Sequence, residues 1–446
     1  MSGTMRADRA ATGVSGLDEI LAGGLARNRL FLLEGAPGTG KTTIALQFLI
    51  EGARLGEKGL YITLSETEEE LREGAASHGW TLLDSLSEIR LLAQGSLRYR
   101  RQVLALKHYL SRHKATVLLL DDMTAEKDDK TVHSVAHGVL QLEELAPLYG
   151  AERRRLRVAK YRGTRYRGGF HDFAIAEGGV VAFPRLVAAE HRTGFSRDVV
   201  SSGVPELDSL VGGGLQRGSA TLLIGPSGAG KSLLALTFLA AAVARGETVA
   251  AFIFDEETGL LFARTKAIGI DLEAMCESGK LVLTSVDAAE LSPGEFAYKI
   301  RACVEEHHAQ TVVIDSLNGY QAAMPEEQFL VLHMHELLHY LNRHGVSTFV
   351  TLAQHGLVGD MQSPVDVTYL SDTIVLLRYF EAAGEVRRAL SVIKKRTGSH
   401  ETTIREFTIG NDGLRLGAVL QDFQGVLRGT PTYSGSGAQL LSAQPG

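Results

Sequence analysis

One pattern, met twice, narrows what this chain can become. Gly35-Ala36-Pro37-Gly38-Thr39-Gly40-Lys41-Thr42 and Gly225-Pro226-Ser227-Gly228-Ala229-Gly230-Lys231-Ser232 both fit G-x-x-x-x-G-K-[ST]. Each follows an apolar run that reads as a strand, 30–33 and 221–224, and each opens a helix-like run, 42–54 and 232–245. That strand, loop and helix context is what a phosphate-binding loop requires. Glycines let backbone N–H groups converge on phosphate oxygens where a Cβ would block the approach. The helix N-terminus adds partial positive charge. Lys41 and Lys231 are placed to reach the β- and γ-phosphates, and Thr42 and Ser232 to hold Mg²⁺. With the next residues of each helix, Thr43 and Leu233, these loops are the expected ATP-binding set.

The two loops belong to an internal duplication. Gly13-Val14 and Leu17-Asp18 recur as Gly203-Val204 and Leu207-Asp208, an offset of 190. Gly23-Gly24-Leu25 recurs as Gly213-Gly214-Leu215, Ser65-Glu66 faces Asp255-Glu256, and Gly79 faces Gly269, all at 190. Further on the register changes. Leu118-Leu119-Leu120-Asp121 and Val312-Val313-Ile314-Asp315 both read as strands ending in an acid, at offset 194. Lys160-Tyr161-Arg162 matches Lys394-Lys395-Arg396 at offset 234. On this reading the first copy lacks about one helix and one strand after Asp121, where the second copy has the helix-like 326–343 and the strand 346–353. A charged loop, 125–130, fills the space.

In the second copy, β-like runs at 221–224, 248–254, 280–283, 311–314, 347–352 and 373–377 alternate with helical runs, which predicts a parallel sheet covered on both faces. Runs at 388–393 and 404–409 suit an antiparallel extension. The expected fold class is α/β, two tandem P-loop domains with mostly parallel sheets, the first shortened. The expected domains are 1–192 and 193–430, joined by a linker at 187–202. A flexible tail is expected over 431–446, where composition turns to Gly, Ser, Thr and Gln.

Hydrophobic residues at 44% and charged residues at 22% fit a soluble globular chain. A net charge of −6 argues against nucleic acid as a partner. The two cysteines, Cys276 and Cys303, cannot build a disulfide framework and suit a reducing cytoplasm. The longest apolar helix candidate, 233–244, is too short for a bilayer, and the charged opening 1–10, with no apolar core, leads us to expect no signal peptide. A cytoplasmic protein without a membrane partner is expected.

Hydrolysis at a P-loop needs an acid near Mg²⁺, a group that orients or deprotonates water, and a positive charge for the transition state. Asp121 and Asp315 are the expected Mg²⁺ acids. For water, the second copy offers Asp255, Glu256 and Glu257, and the first offers Glu66 beside Ser65. A serine cannot act as that base at neutral pH, so hydrolysis in the first copy is expected to be weaker. Acids at that position also suit the capping of the next helix. Lys160/Arg162 and Lys394/Arg396 alternate on β-like segments, so each pair shares a strand face. They suit a clamp on a neighbouring subunit's phosphate, a role that can contribute roughly 10³–10⁵ in rate. The first pair sits among Arg153, Arg154, Arg155, Arg157, Arg165 and Arg167; the alternatives there are a solvated basic strand or a nucleic-acid patch. His335-Glu336-Leu337-Leu338-His339 fits H-E-x-x-H. It lies in a segment already assigned to a helix and shows no third ligand, so zinc is not expected. His307-His308, and His133 with His137, lack supporting acids and read as ordinary histidines.

Over about residues 10–430 the chain resembles the KaiC family of RecA-like ATPases. The resemblance rests on the doubled P-loop domain, the opening Gly-Val-x-x-Leu-Asp…Gly-Gly-Leu, and the acidic pair after the second strand. It rests also on Ile314-Asp315-Ser316-Leu317-Asn318-Gly319-Tyr320 and on the run from Lys394 to Phe407. It implies ATP-dependent homohexameric rings with nucleotide between subunits, and a role in trans for Lys160, Arg162, Lys394 and Arg396. It implies a regulatory ATPase that acts through an unidentified signalling partner. Clock-type members carry adjacent Ser and Thr phosphorylation sites where this chain reads Thr368-Tyr369-Leu370-Ser371-Asp372-Thr373. Serine/threonine autokinase activity is therefore the alternative function, with Thr368 and Ser371 as candidate acceptors; a DNA-threading ring is a third.

Overall fold

The computed structural model describes residues 8–62, 68–80, 96–122, 131–146, 150–191, 193–254, 256–323, 327–354, 367–382, 384–411, 413–428 and 432–433. The chain divides between Arg185 and Leu186 into two compact units.

The second unit carries a nine-stranded sheet in the order Leu281–Ser285, Thr248–Ile253, Ala309–Asp315, Ser347–Ala353, Ala220–Gly225, Thr373–Ala382, Glu385–Lys395, Arg405–Gly410, Gly413–Val419. The first six strands are parallel and the remainder antiparallel, as the pattern of apolar runs predicts. Alternating side chains face two apolar layers, because a parallel strand at a sheet centre is buried on both sides. Leu223, Val313 and Phe349 face the P-loop helix Lys231–Ala244. Leu222, Val312 and Val350 face the helices Pro293–Glu305 and Glu327–Arg343. The expected linker is part of this unit. Leu186 and Ala188 are buried in its core, and the Ala188 N–H donates to Glu336 Oε2 at 2.9 Å. At the other end Thr432–Tyr433 pairs with Phe423–Gln424, inside the expected tail. Residues 434–446 lie outside the described residues, as does the charged loop at 125–130.

The first unit has six strands, in the order Val117–Asp121, Leu30–Glu34, Gly138–Leu145, Arg153–Tyr161, His171–Ala176, Gly179–Phe183. Only the first three are mutually parallel. The duplication is visible in matched contacts. Asp18 accepts from Thr12 N–H at 3.0 Å, and Asp208 accepts from Ser202 N–H at 2.7 Å. Gly24 and Gly214, at φ 103° and 124°, run so close to Ala10 O and Val200 O that an added Cβ would lie 2.4 and 2.7 Å from them.

The structure corrects the place of the shortening. Leu30 pairs with Val117 and Glu34 with Asp121, while Ala220 pairs with Thr348 and Ile224 with Leu352. At offset 190 Leu30 matches Ala220 and Glu34 matches Ile224, so Asp121 stands where Leu352 stands, at offset 231. Asp121 is not the counterpart of Asp315, whose strand lies one place further from the P-loop strand. The helices Ser96–Arg112 and Glu327–Arg343 match at the same offset, 231, and share His-Tyr-Leu-x-Arg-His, from His108 and from His339. The missing residues therefore lie before this helix, not after Asp121. Only 28 residues separate Gly79 from His108, against 69 between Gly269 and His339. The longer stretch holds the helix Pro293–Glu305 and the acid-bearing strand Ala309–Asp315. Tyr340 is fully buried and donates to Glu305 Oε1 at 3.0 Å, whereas its match Tyr109 is 61% exposed. Leu60 and Ile62, 51% and 37% exposed, match the fully buried Ala250 and Phe252.

Candidate functional site: two P-loops with unequal surroundings

Each loop leaves the carboxyl end of a central strand, and its last glycine caps the helix. Gly38 and Gly40 have φ of 84° and 89°, and Gly228 and Gly230 have 73° and 102°. Gly40 and Gly230 are the residues immediately before the helices Lys41–Arg54 and Lys231–Ala244. A Cβ on Gly40 would meet Ile175 Cδ1 at 2.9 Å, and one on Gly230 would meet Ile409 Cδ1 at 2.9 Å. Lys41 Nζ donates to Ala36 O at 2.8 Å, and Lys231 Nζ to Pro226 O at 2.7 Å. Both lysines are buried. Burial pulls the Lys231 ammonium below its ordinary value, and the nearby Asp315 charge acts the other way. Thr42, Thr43, Ser232 and Leu233 fall in the first turn of their helices. Left-handed glycines, first-turn amides, a lysine folded over the loop and a first-turn hydroxyl fit a magnesium-bound triphosphate.

Around the second loop the acids lie at and just past the ends of neighbouring strands. Asp315 closes its strand opposite Ile253. Its Oδ1 accepts the Thr351 hydroxyl. The Asp315 carbonyl accepts from Phe254 N–H at 2.8 Å, which extends the pairing of the two strands by one residue. Glu256 pairs with Arg264 through two bonds of 2.6 and 2.9 Å. Glu257 caps the helix Thr258–Lys266, accepting from Gly259 and Leu260 N–H at 2.8 and 2.7 Å. Asp255, like Glu66 in the first copy, lies outside the described residues. Sequence reasoning missed Gln354, which follows the strand beside the P-loop strand and donates its N–H to Gly225 O at 3.0 Å. The rule that selected Asp315, a polar residue ending an apolar strand, would have found it.

Around the first loop the surroundings differ. Lys41 Nζ forms an ion pair at 2.8 Å with Asp122, a residue the sequence reading passed over. The Asp121 carbonyl accepts from Gly35 N–H at 3.1 Å. His133, read as lacking an acid, has one: its Nε2 lies 2.6 Å from Glu34 Oε2. Glu34 Oε1 accepts from Gln141. Glu34 is 3% exposed and shares a strand face with Leu30 and Leu32, opposite the P-loop helix.

The two basic pairs make matched contacts. Lys160 donates to His133 O and Arg162 to Ser134 O at 2.8 Å. Lys394 donates to Thr368 O at 2.9 Å and Arg396 to Tyr369 O at 2.6 Å. Among the six arginines around the first pair, Arg154, Arg155 and Arg167 are ion-paired, while Arg157 and Arg165 are exposed. Arg154 pairs with Glu144 and Glu152, Arg155 with Glu143, and Arg167 with Glu19. Of the two candidate acceptors, Ser371 is 3% exposed and Thr368 is half-buried. In the H-E-x-x-H segment Glu336 Oε2 accepts from Ala188 N–H, a structural contact. Among the described residues the side chains close enough to share a metal ion are His191, Glu305 and His344 instead. There Arg301 already pairs with Glu305, at 2.9 Å. No described helix is long and apolar enough to cross a membrane.

The family model for the KaiC ATPase matches residues 10–83, 81–187 and 200–420. Circadian clock protein KaiC3 of Synechocystis sp. is 27% identical over 96% of this chain and 95% of its own length. The circadian clock oscillator protein KaiC of Prochlorococcus marinus is 27% identical over 96% and 97%. That of Rippkaea orientalis is 28% identical over 94% and 91%.

Proposed function

Because the chain belongs to the KaiC ATPase family, with its RecA-like P-loop fold, we propose that it is a Mg²⁺-dependent ATP hydrolase that works as a regulatory ring. The observation carrying this reading is the second loop, with Lys231 folded onto it, Ser232 on the first turn, Asp315 ending its strand and Glu256 just past the end of the adjoining strand. Asp315 and Ser232 would hold Mg²⁺, and Lys231 would neutralise charge on the phosphates. Asp255, or Glu256 once released from its two-bond pair with Arg264, would take a proton as water attacks the γ-phosphorus. The bond to the β-phosphate oxygen breaks, and ADP and phosphate leave. Lys394 and Arg396 lie on the strand Glu385–Lys395 and just past it, and suit a clamp on the nucleotide of an adjacent subunit. A homohexamer assembled on ATP follows from that role, and a cytoplasmic setting fits the cysteine usage. The ring is read as a switch felt by a signalling partner.

Autophosphorylation is the weaker reading, since the Ser371 side chain is buried and Tyr369 stands beside Thr368. The acidic net charge, with Arg154, Arg155 and Arg167 of the first unit held in ion pairs, does not favour a nucleic-acid ring. The test is mass measurement with and without ATP and Mg²⁺, alongside turnover. Assembly on ATP supports the shared site; a monomer with full turnover removes the trans clamp.

A further inference from the structure

We infer that the two P-loops have separate functions: the second hydrolyses, and the first holds a nucleoside triphosphate without hydrolysing it, with Asp122 as an internal anion competing for its lysine. The inference rests on the ATP-hydrolase reading above and divides that activity between the copies.

The sequence of the first copy lacks a counterpart of the strand-ending acid that the second copy has. Mg²⁺ at a P-loop is held by the loop hydroxyl and by an acid that ends a neighbouring strand. In the second unit that acid is Asp315, two strands from the P-loop strand. The first copy is 41 residues shorter between Gly79 and His108 than the second between Gly269 and His339. Residues 89–120 contain no Asp or Glu, so no strand within them can end in an acid. The next acids, Asp121 and Asp122, match Leu352 and Ala353 by register. Asp121 ends, and Asp122 follows, the strand directly beside the P-loop strand.

A different carboxylate stands at the first loop. Asp122 places a carboxylate 2.8 Å from Lys41 Nζ, the group that would meet the phosphates. Among the described residues Lys231 forms no such pair; its ammonium contacts Pro226 O, and the Asp315 charge acts on it from nearby. An incoming triphosphate must displace Asp122 from Lys41. Glu34 is no substitute for the missing acid. Both of its oxygens are taken, by His133 and Gln141, and it is buried on the far face of the sheet. The cradle itself is intact, with the same glycine conformations and the same lysine-to-carbonyl contact as in the second copy. Binding is retained while the metal-holding acid is absent.

The test uses the full-length chain with ATP as probe. Lys231→Ala, and separately Asp315→Asn in case the first variant fails to fold, should lose Mg²⁺-dependent turnover by about 10²-fold or more. Lys231→Ala should still retain nucleotide at the first loop. Adding Asp122→Asn to Lys231→Ala should tighten that binding about two- to fivefold, the scale of a half-exposed ion pair, and restore no turnover. The inference is overturned if Lys231→Ala and Asp315→Asn keep Mg²⁺-dependent turnover near that of the unmodified chain. It is overturned also if Asp122→Asn leaves binding unchanged, which would remove the competition, or weakens it, which would make Asp122 a metal ligand. An unmodified chain that neither binds nor hydrolyses ATP would remove the hydrolase reading itself, a different outcome from either.

Discussion

Replacing Asp315 by asparagine changes one charge and little else. Asp315 Oδ1 accepts the Thr351 hydroxyl, and the asparagine Oδ1 can accept the same bond. The strand Ala309–Asp315 stays paired on both sides, because its ladder uses only backbone groups. Stability should therefore move by less than about 1 kcal/mol. The electrostatic change is larger. The site loses the anion that would hold Mg²⁺. Lys231 also loses the nearby charge that offsets its burial, so its value moves further down and its ammonium is less secure. Removing one preorganised electrostatic contact of this kind costs about 2.7–4 kcal/mol in the transition state, or 10²–10³ in kcat. Steady-state phosphate release at saturating Mg²⁺, with thermal unfolding as the control, measures both. A folded Asp315→Asn chain that turns over within about threefold of the original would refute the assignment of Asp315 to the metal.

Two further outcomes follow from burial. Tyr340→Phe removes a buried hydroxyl from Glu305 and should destabilise the second unit by about 1.5–3 kcal/mol, whereas Tyr109→Ser at the matched exposed position should stay within about 0.5 kcal/mol. Urea unfolding of both variants decides this, and equal effects would contradict the uncovering of the first-unit helix. His171 is buried; its Nε2 donates to Arg167 O at 2.9 Å, and its Nδ1 accepts from Arg185 N–H at 2.8 Å. Burial pulls its value down to about 4. Its contribution is complete above about pH 6.5 and is lost as pH falls toward 4, about 3 kcal/mol in all. An NMR titration of the ring should show no protonation at pH 5.5; a midpoint near 6.5 would refute the buried geometry.

The second unit was largely legible in the sequence, because buried parallel strands are apolar runs and each lies between helical runs. The P-loops were legible because their chemistry fixes residue types at fixed spacing. The failure concerned the first unit. Asp121 and Asp315 both end apolar strands, and a shared local pattern was taken for a shared place in the sheet. Only the ladder register separates them, since any strand next to the P-loop strand is equally apolar. The repeated His-Tyr-Leu-x-Arg-His carried the right alignment, but polar residues on a helix offer no chemical reason to weigh them. Asp122 was missed for a related cause. Its meaning lies in a contact with Lys41, 81 residues away along the chain, and spacing within a motif does not encode it.

The most direct measurement is a count of nucleotide retained per chain. Purified protein is saturated with labelled ATP and Mg²⁺, passed through a sizing column and denatured, and the released label is quantified. The account predicts saturable uptake approaching two nucleotides per chain, abolished when Lys41 and Lys231 are both replaced by alanine. No saturable uptake, or full uptake by the doubly substituted chain, would contradict it.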